Sequence, residues 1–128
     1  MGQPVVHFEI TGSDPATLRS FYGDLFAWEF DTNAPVADAI SEPGNYGFIN
    51  RYTTDDGMGI PGGVGGGSGY EGHVIFYVGV PNVAEALRKA ESLGGTRRMG
   101  PVKNPGVELV IGHFTDPAGH LIGLAGPE

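Results

Sequence analysis

His7 and Glu9 stand two residues apart in the segment Val5-Val6-His7-Phe8-Glu9-Ile10. A strand sends alternate side chains to opposite faces, so an imidazole and a carboxylate at i and i+2 share a face. Such a pair suits a general acid and base, or two hydrogen-bond partners for a bound molecule. It equally suits a partly buried pair that satisfies itself and does no chemistry. Tyr77, in a second apolar segment, either lines a ligand pocket or belongs to the core. His113 and His120 flank the turn Thr115-Asp116-Pro117-Ala118-Gly119. Two histidines across a turn can meet a metal, but a turn tip places them at the surface. Glu108 alternates away from His113 and has no evident partner. The chain of 128 residues contains no cysteine, which removes thiolate nucleophiles, disulfides and Cys-ligated zinc. Ser68 is followed by Gly69 and Tyr70, so no Gly-x-Ser-x-Gly elbow is present.

The elements that must position these groups come in two similar sets. Residues 5–10 alternate, with Val6, Phe8 and Ile10 on one face and Val5, His7 and Glu9 on the other. Asp14-Pro15 then reads as a helix start, an N-cap followed by proline at the first helical position. Leu18, Phe21, Tyr22, Leu25 and Phe26 follow at helical spacing. Trp28–Phe30 and Tyr46–Tyr52 read as strands, and Asp55-Asp56-Gly57 as a turn. In the second half, His73 to Val80 reads as a strand with Val74, Phe76, Val78 and Val80 on its helix-covered face. Asn82, with Glu85 three residues later, resembles a capping box. Val83, Ala86, Leu87, Ala90 and Leu93 make an apolar stripe that Gly94-Gly95 ends. Strands are predicted at about 96–99, 107–114 and 120–125. Strand, helix and three strands, twice over, predict an α+β fold: two βαβββ modules forming one curled sheet, with helices outside and a concave cavity. Module one covers about 5–65, a glycine-rich linker about 65–72, and module two about 73–126, all in a single domain.

The segment GMGIPGGVGGGSGYEG, residues 57–72, opens with a Gly-x-G-x-x-Gly pattern. A dinucleotide loop needs a helix opening at its third glycine and an acid about 20 residues on. Here more glycines follow Pro61-Gly62 and position 82 is Asn, so no nucleotide is expected. Met58 to Val64 reads instead as the closing strand of module one, where glycines let a backbone or a ligand approach closely.

Fifteen acidic against seven basic residues give a net charge of −8, which excludes a phosphate-binding basic face and hence nucleic acid. Arg97-Arg98 and Lys103 form the one basic cluster and read as a solvated strand edge. No apolar run approaches the ~20 residues a membrane helix needs. Residues 1–4 carry no basic region, and a cytoplasmic protein is the expectation.

Two βαβββ units are the architecture of the vicinal oxygen chelate superfamily, which holds glyoxalase I, bleomycin resistance proteins and extradiol dioxygenases. HFEITGSDPATLRSFYGDLFAWEF, residues 7–30, resembles that family's opening strand and helix. FTDPAGHLIGL, residues 114–124, resembles its closing Asp-Pro-x-Gly hairpin. The resemblance implies that metal-dependent members hold one divalent ion with four side chains, from the first and last strands of each half. His7 matches the first position. The hairpin's Glu position is Gly123, and residues 58–64 contain no Glu, Asp or His. Aligning the caps Asp14 and Asn82 carries His7 onto Ile75, although a bulge would restore His73. One ligand of four is present strictly, two generously, where a catalytic ion usually takes three.

The leading expectation is therefore a small organic molecule in the cavity, contacted by His7, Glu9, Ile75, Tyr77 and Gly123, without a complete metal site. A cationic or aromatic compound would suit the acidity. The rival is a metal-dependent lyase, isomerase or dioxygenase with His7, Glu9 and His73 as a His₂Glu set. The cofactor is thus none or one divalent ion. The resemblance also implies a homodimer.

Overall fold

A computed structural model describes residues 2–49 and 59–128. Among the described residues, seven strands, paired both parallel and antiparallel, and two helices make the fold α+β. The chain divides into two compact units, one of residues His7–Val74 and one of Met1–Val6 with Ile75–Glu128.

In the first unit the order is β1 (Val5–Gly12, from His7 on), α1 (Pro15–Phe26), β2 (Gly47–Ile49) and β3 (Gly62–Gly66). Asp14 caps α1 as its side chain accepts from the Thr17 N–H at 3.2 Å, with Pro15 next, as the Asp-Pro pair requires. Ala27, at φ 60°, ends the helix. β1 runs parallel to β3 with Glu9 opposite Gly63, and β2 runs antiparallel to β3 with Phe48 opposite the same glycine. The strand predicted at Trp28–Phe30 is not formed; one residue further on, Asp31 makes an isolated bridge to Phe48. Trp28 instead packs its ring on Phe8, Tyr22 and Phe26, with centroids 5.0–5.8 Å apart. Its apolar surface is used against the helix, and the left-handed Ala27 turns the chain too sharply to continue extended. The predicted residues 50–52 of the second strand, the Asp55-Asp56-Gly57 turn and Met58 lie outside the described residues.

β3 reads Gly-Gly-Val-Gly-Gly and is buried throughout. The glycine-rich strand allows a close approach, as expected, but by the chain's own rings. A Cβ on Gly62 would lie 2.2 Å from the Phe8 ring, and one on Gly63 would lie 2.0 Å from the Tyr46 ring. Real carbon contacts stay near ~3.5 Å or more, so only glycine admits those rings.

In the second unit the order is β4 (His73–Gly79, from Ile75 on), α2 (Val83–Ser92), β5 (Thr96–Lys103), β6 (Val110–Thr115) and β7 (Leu121–Gly126). Asn82 caps α2 by accepting from the Glu85 N–H at 2.9 Å. Leu93 follows as C-cap and Gly94 takes φ +102°, the left-handed turn the Gly-Gly pair allows. β4 pairs parallel with β7, β7 antiparallel with β6, and β6 antiparallel with β5. Val83, Leu87 and Leu124 form the buried centre, packed by Val78, Val80, Ala86, Val110 and Phe114. Of the predicted helix-facing row, Val78 and Val80 join this core, whereas Val74 and Phe76 are exposed. α2 packs over β5, β6 and β7 rather than along β4, which leaves Phe76 uncovered.

Candidate functional site

In the first unit, β1 carries His7 and Glu9 on one face, as the alternation requires. Glu9 is 2% exposed. Its two carboxylate oxygens have separate partners: Oε1 accepts from the Tyr46 hydroxyl at 2.9 Å, and Oε2 lies 2.6 Å from His73 Nε2. The Tyr46 oxygen also lies 3.0 Å from His7 Nε2. His7, Tyr46, Glu9 and His73 thus form one hydrogen-bonded chain. Residues 39 positions apart meet in His7 and Tyr46, and residues 64 apart in Glu9 and His73. The His73 side chain keeps 19% of its surface exposed, so the chain of bonds runs from a buried carboxylate to the solvent.

Tyr46 is held from several sides. It immediately precedes β2, and the Arg19 guanidinium from α1 donates to the carbonyl of neighbouring Asn45. Its ring lies over β3 at Gly63 and Gly65, and packs on Phe48 with centroids 4.7 Å apart. The His7 ring stands between Phe8, Tyr46 and Phe48, at 6.3–6.5 Å from each. That burial lowers the His7 pKa below its ordinary value, and the Glu9 charge offsets only part of the shift. His7 is therefore neutral at physiological pH.

In the second unit, Tyr77 stands opposite Gly123 in the β4–β7 pairing. A Cβ on Gly123 would lie 2.4 Å from the Tyr77 ring, so the tyrosine fills the space a side chain at 123 would take. The Tyr77 hydroxyl bonds His113 Nε2 at 2.8 Å, both residues being buried. The sequence places His113 at the surface beside the hairpin turn. It lies instead inside β6, two residues before the turn begins, opposite Gly123. His120 does sit at the surface, with Nδ1 3.1 Å from Asp116 Oδ2. The two histidines do not face each other across the hairpin. Ile75 is buried as core, 3% exposed.

A metal would need nitrogen and oxygen donors converging at about 2.0–2.2 Å from one point. Among the described residues no group of three or more His, Asp or Glu is placed to do so. The Tyr46 hydroxyl stands between His7 and Glu9 instead, and β3 presents only glycine and valine. The donor set as arranged does not fit a divalent ion.

Tyr46 escaped the sequence reading. It reads only as the first residue of the predicted strand 46–52, and what recruits it to the site is the absence of side chains on a strand sixteen or more residues later. Paired glycines in a buried strand are the one signal that some ring must cover them.

The family model of the Glyoxalase/Bleomycin resistance protein/Dioxygenase superfamily matches residues 5–124. The chain belongs to that superfamily. No curated protein matches it. Among solved structures, this superfamily member is similar to a methylmalonyl-CoA epimerase from Streptomyces coelicolor in complex with 2-nitronate-propionyl-CoA. The TM-score is 0.66 at 16% identity, covering 97% of this chain and 96% of that one. A superfamily member from Vibrio splendidus 12B01 gives a TM-score of 0.56 at 17% identity, over 98% and 99% of the two chains. The Mn(II)-bound glyoxalase from Novosphingobium aromaticivorans gives 0.57 at 18% identity, over 98% of this chain and 39% of that one. At such identities these likenesses concern the fold. No helix among the described residues is long and apolar enough to cross a membrane.

Proposed function

We propose that this superfamily member binds a small organic molecule through the His7–Tyr46–Glu9–His73 chain, without a complete metal site. The observation that supports this reading is the buried Glu9 carboxylate, engaged at one oxygen by the Tyr46 hydroxyl, which donates to it, and at the other by His73 Nε2. Such a chain offers a ligand hydrogen-bond partners held in fixed positions, at little cost in ordering on binding. The acidic balance of −8 favours a cationic or aromatic-amine ligand over an anion. A homodimer in the cytoplasm completes the proposal.

The test is a thermal-shift screen of aromatic amines and small cations against the wild type, Glu9→Gln and His73→Ala. A ligand that binds only the folded state must raise Tm, by ~2.7 kcal/mol of stability at a hundred times its Kd. Compounds that stabilise the wild type and lose that effect in both variants support the reading. Stabilisation unchanged in both variants, or none from any compound, would sink it.

A second reading is favoured by the 2.6 Å contact between His73 and Glu9, which brings two candidate ligands together. In it the chain is a metal-dependent lyase, isomerase or oxygenase using His7, Glu9 and His73. One equivalent of ion in protein purified without chelator, lost in His7→Ala, would favour it over the first.

A further inference from the structure

We propose that Tyr46 is a positioning and specificity-determining residue whose hydroxyl commits His7 and Glu9 to a hydrogen-bonded chain and so selects against a metal ion. The inference rests on the organic-ligand reading above and deepens it.

A phenol has one proton to give. Here that proton goes to Oε1 of Glu9, at 2.9 Å. The 3.0 Å contact from Tyr46 to His7 Nε2 then requires His7 to donate, so Nε2 carries the hydrogen. A protonated ring nitrogen cannot ligate a metal, because its lone pair is used. The same hydroxyl occupies Oε1 of Glu9, and His73 occupies Oε2. One tyrosine therefore holds Nε2 of His7 and one oxygen of Glu9 in hydrogen bonds that an ion would have to displace.

Its place is built into the sheet. The Tyr46 hydroxyl lies 2.3 Å from where a Cβ on Gly63 would stand, and the ring lies 2.6 Å from one on Gly65. Any other residue at 63 would evict it. The second unit repeats the device independently. Tyr77 lies over Gly123, with ring atoms 2.4–2.8 Å from a Cβ there, and its hydroxyl engages His113 Nε2. In each unit a tyrosine ring fills a strand glycine and ties up a histidine nitrogen.

The test uses the full chain and Tyr46→Phe, which keeps the ring and removes the hydroxyl. Mn²⁺ and Zn²⁺ are titrated by calorimetry, with ion stoichiometry from native mass spectrometry. The expected result is uptake at least ~10-fold tighter in Tyr46→Phe than in the wild type, the size typical of groups that hold metal ligands in place. Adding His7→Ala to Tyr46→Phe should abolish the gain, which separates this ion from any held at His120. Equal affinity in wild type and Tyr46→Phe overturns the inference and leaves the organic-ligand reading intact. One ion per wild-type chain, lost in His7→Ala, overturns both. A second readout needs no variant. In ¹⁵N-histidine NMR of the wild type near pH 7.5, His7 should show the Nε2–H tautomer, and the Nδ1–H tautomer there would refute the assignment.

Discussion

Gly63→Ala isolates the contact on which the cluster depends. Its backbone is not in the left-handed region, so alanine adds only a methyl group. That methyl would stand 2.0 Å from Cε1 of Tyr46, 2.2 Å from Cζ and 2.3 Å from the hydroxyl. Restoring a ~3.5 Å contact moves the ring by roughly 1.5 Å. A shift of that size breaks hydrogen bonds now at 2.9 and 3.0 Å. Overpacking a buried strand costs about 1–3 kcal/mol, and a buried acceptor left unpaired on Glu9 costs about 1–3 kcal/mol more. The total is about 4 kcal/mol, a large share of the 5–15 kcal/mol that holds a typical domain folded. Urea denaturation followed by circular dichroism measures it, and in a thermal scan it corresponds to roughly 10–15 °C. The decisive arm is a double-mutant cycle. Tyr46→Ala alone costs ~3–5 kcal/mol for the cavity it leaves. In that background Gly63→Ala meets no ring and should be neutral to within ~1 kcal/mol, because alanine there also lowers the entropy of the unfolded chain. A coupling energy of ~3 kcal/mol follows. If Gly63→Ala costs under ~1 kcal/mol, or costs the same with and without Tyr46, the reasoning about β3 is wrong. Gly2→Ala, with nothing within 4 Å of its added methyl, serves as the neutral control.

Three further outcomes are expected. Gly123→Glu, which restores the acidic residue of the family hairpin, should destabilise by ~2–4 kcal/mol because Tyr77 already fills that space, and urea midpoints would show it; gain of tight Mn²⁺ binding without loss of stability would count against the packing argument. His7 has its folded-state pKa lowered by burial, so its unfolded state binds the proton more readily. The stability this confers is complete above the ordinary imidazole pKa of about 6.5 and is lost as pH falls from there through the lowered folded value. Urea midpoints at pH 7.5 and 5.5 should therefore differ less in His7→Gln than in the wild type, and an unchanged difference would contradict the shift. Asn82→Ala should cost about 1 kcal/mol by removing the acceptor for the Glu85 N–H, while Asn82→Asp should be nearly neutral, both read from urea midpoints.

Much of the fold was legible because local chemistry decides it. Asp14-Pro15 and Asn82 start their helices through backbone N–H groups three residues away, information contained in four consecutive residues. Gly94-Gly95 ends the second helix for the same kind of reason, and the alternation in residues 5–10 puts His7 and Glu9 on one face. Trp28–Phe30 was misread because two aromatic residues alternating about Glu29 serve pairing and packing equally well. The choice fell to Phe8, Tyr22 and Phe26, which are near only in the folded chain. His113 was misread because its neighbours in sequence form a polar turn, whereas its neighbour in space is Tyr77.

By itself the sequence determined the helix starts, the shared face of His7 and Glu9 and the superfamily, and it offered His7, Glu9 and His73 as candidates. It also marked Met58–Val64 as a glycine-rich strand that a backbone or a ligand can approach closely. Only the tertiary structure decided that Tyr46 is what approaches, and that its hydroxyl links His7 to Glu9, with His73 bonded to Glu9 directly, rather than the three converging on one point. A cap or an alternating strand is fixed by a few adjacent residues, and its signal is strong because the backbone bonds are local. A hydrogen-bonded chain assembled from residues 7, 9, 46 and 73 depends on parallel pairing of β1 with β3 and on volume left empty by glycines. That volume belongs to no single segment, so no segment could announce it.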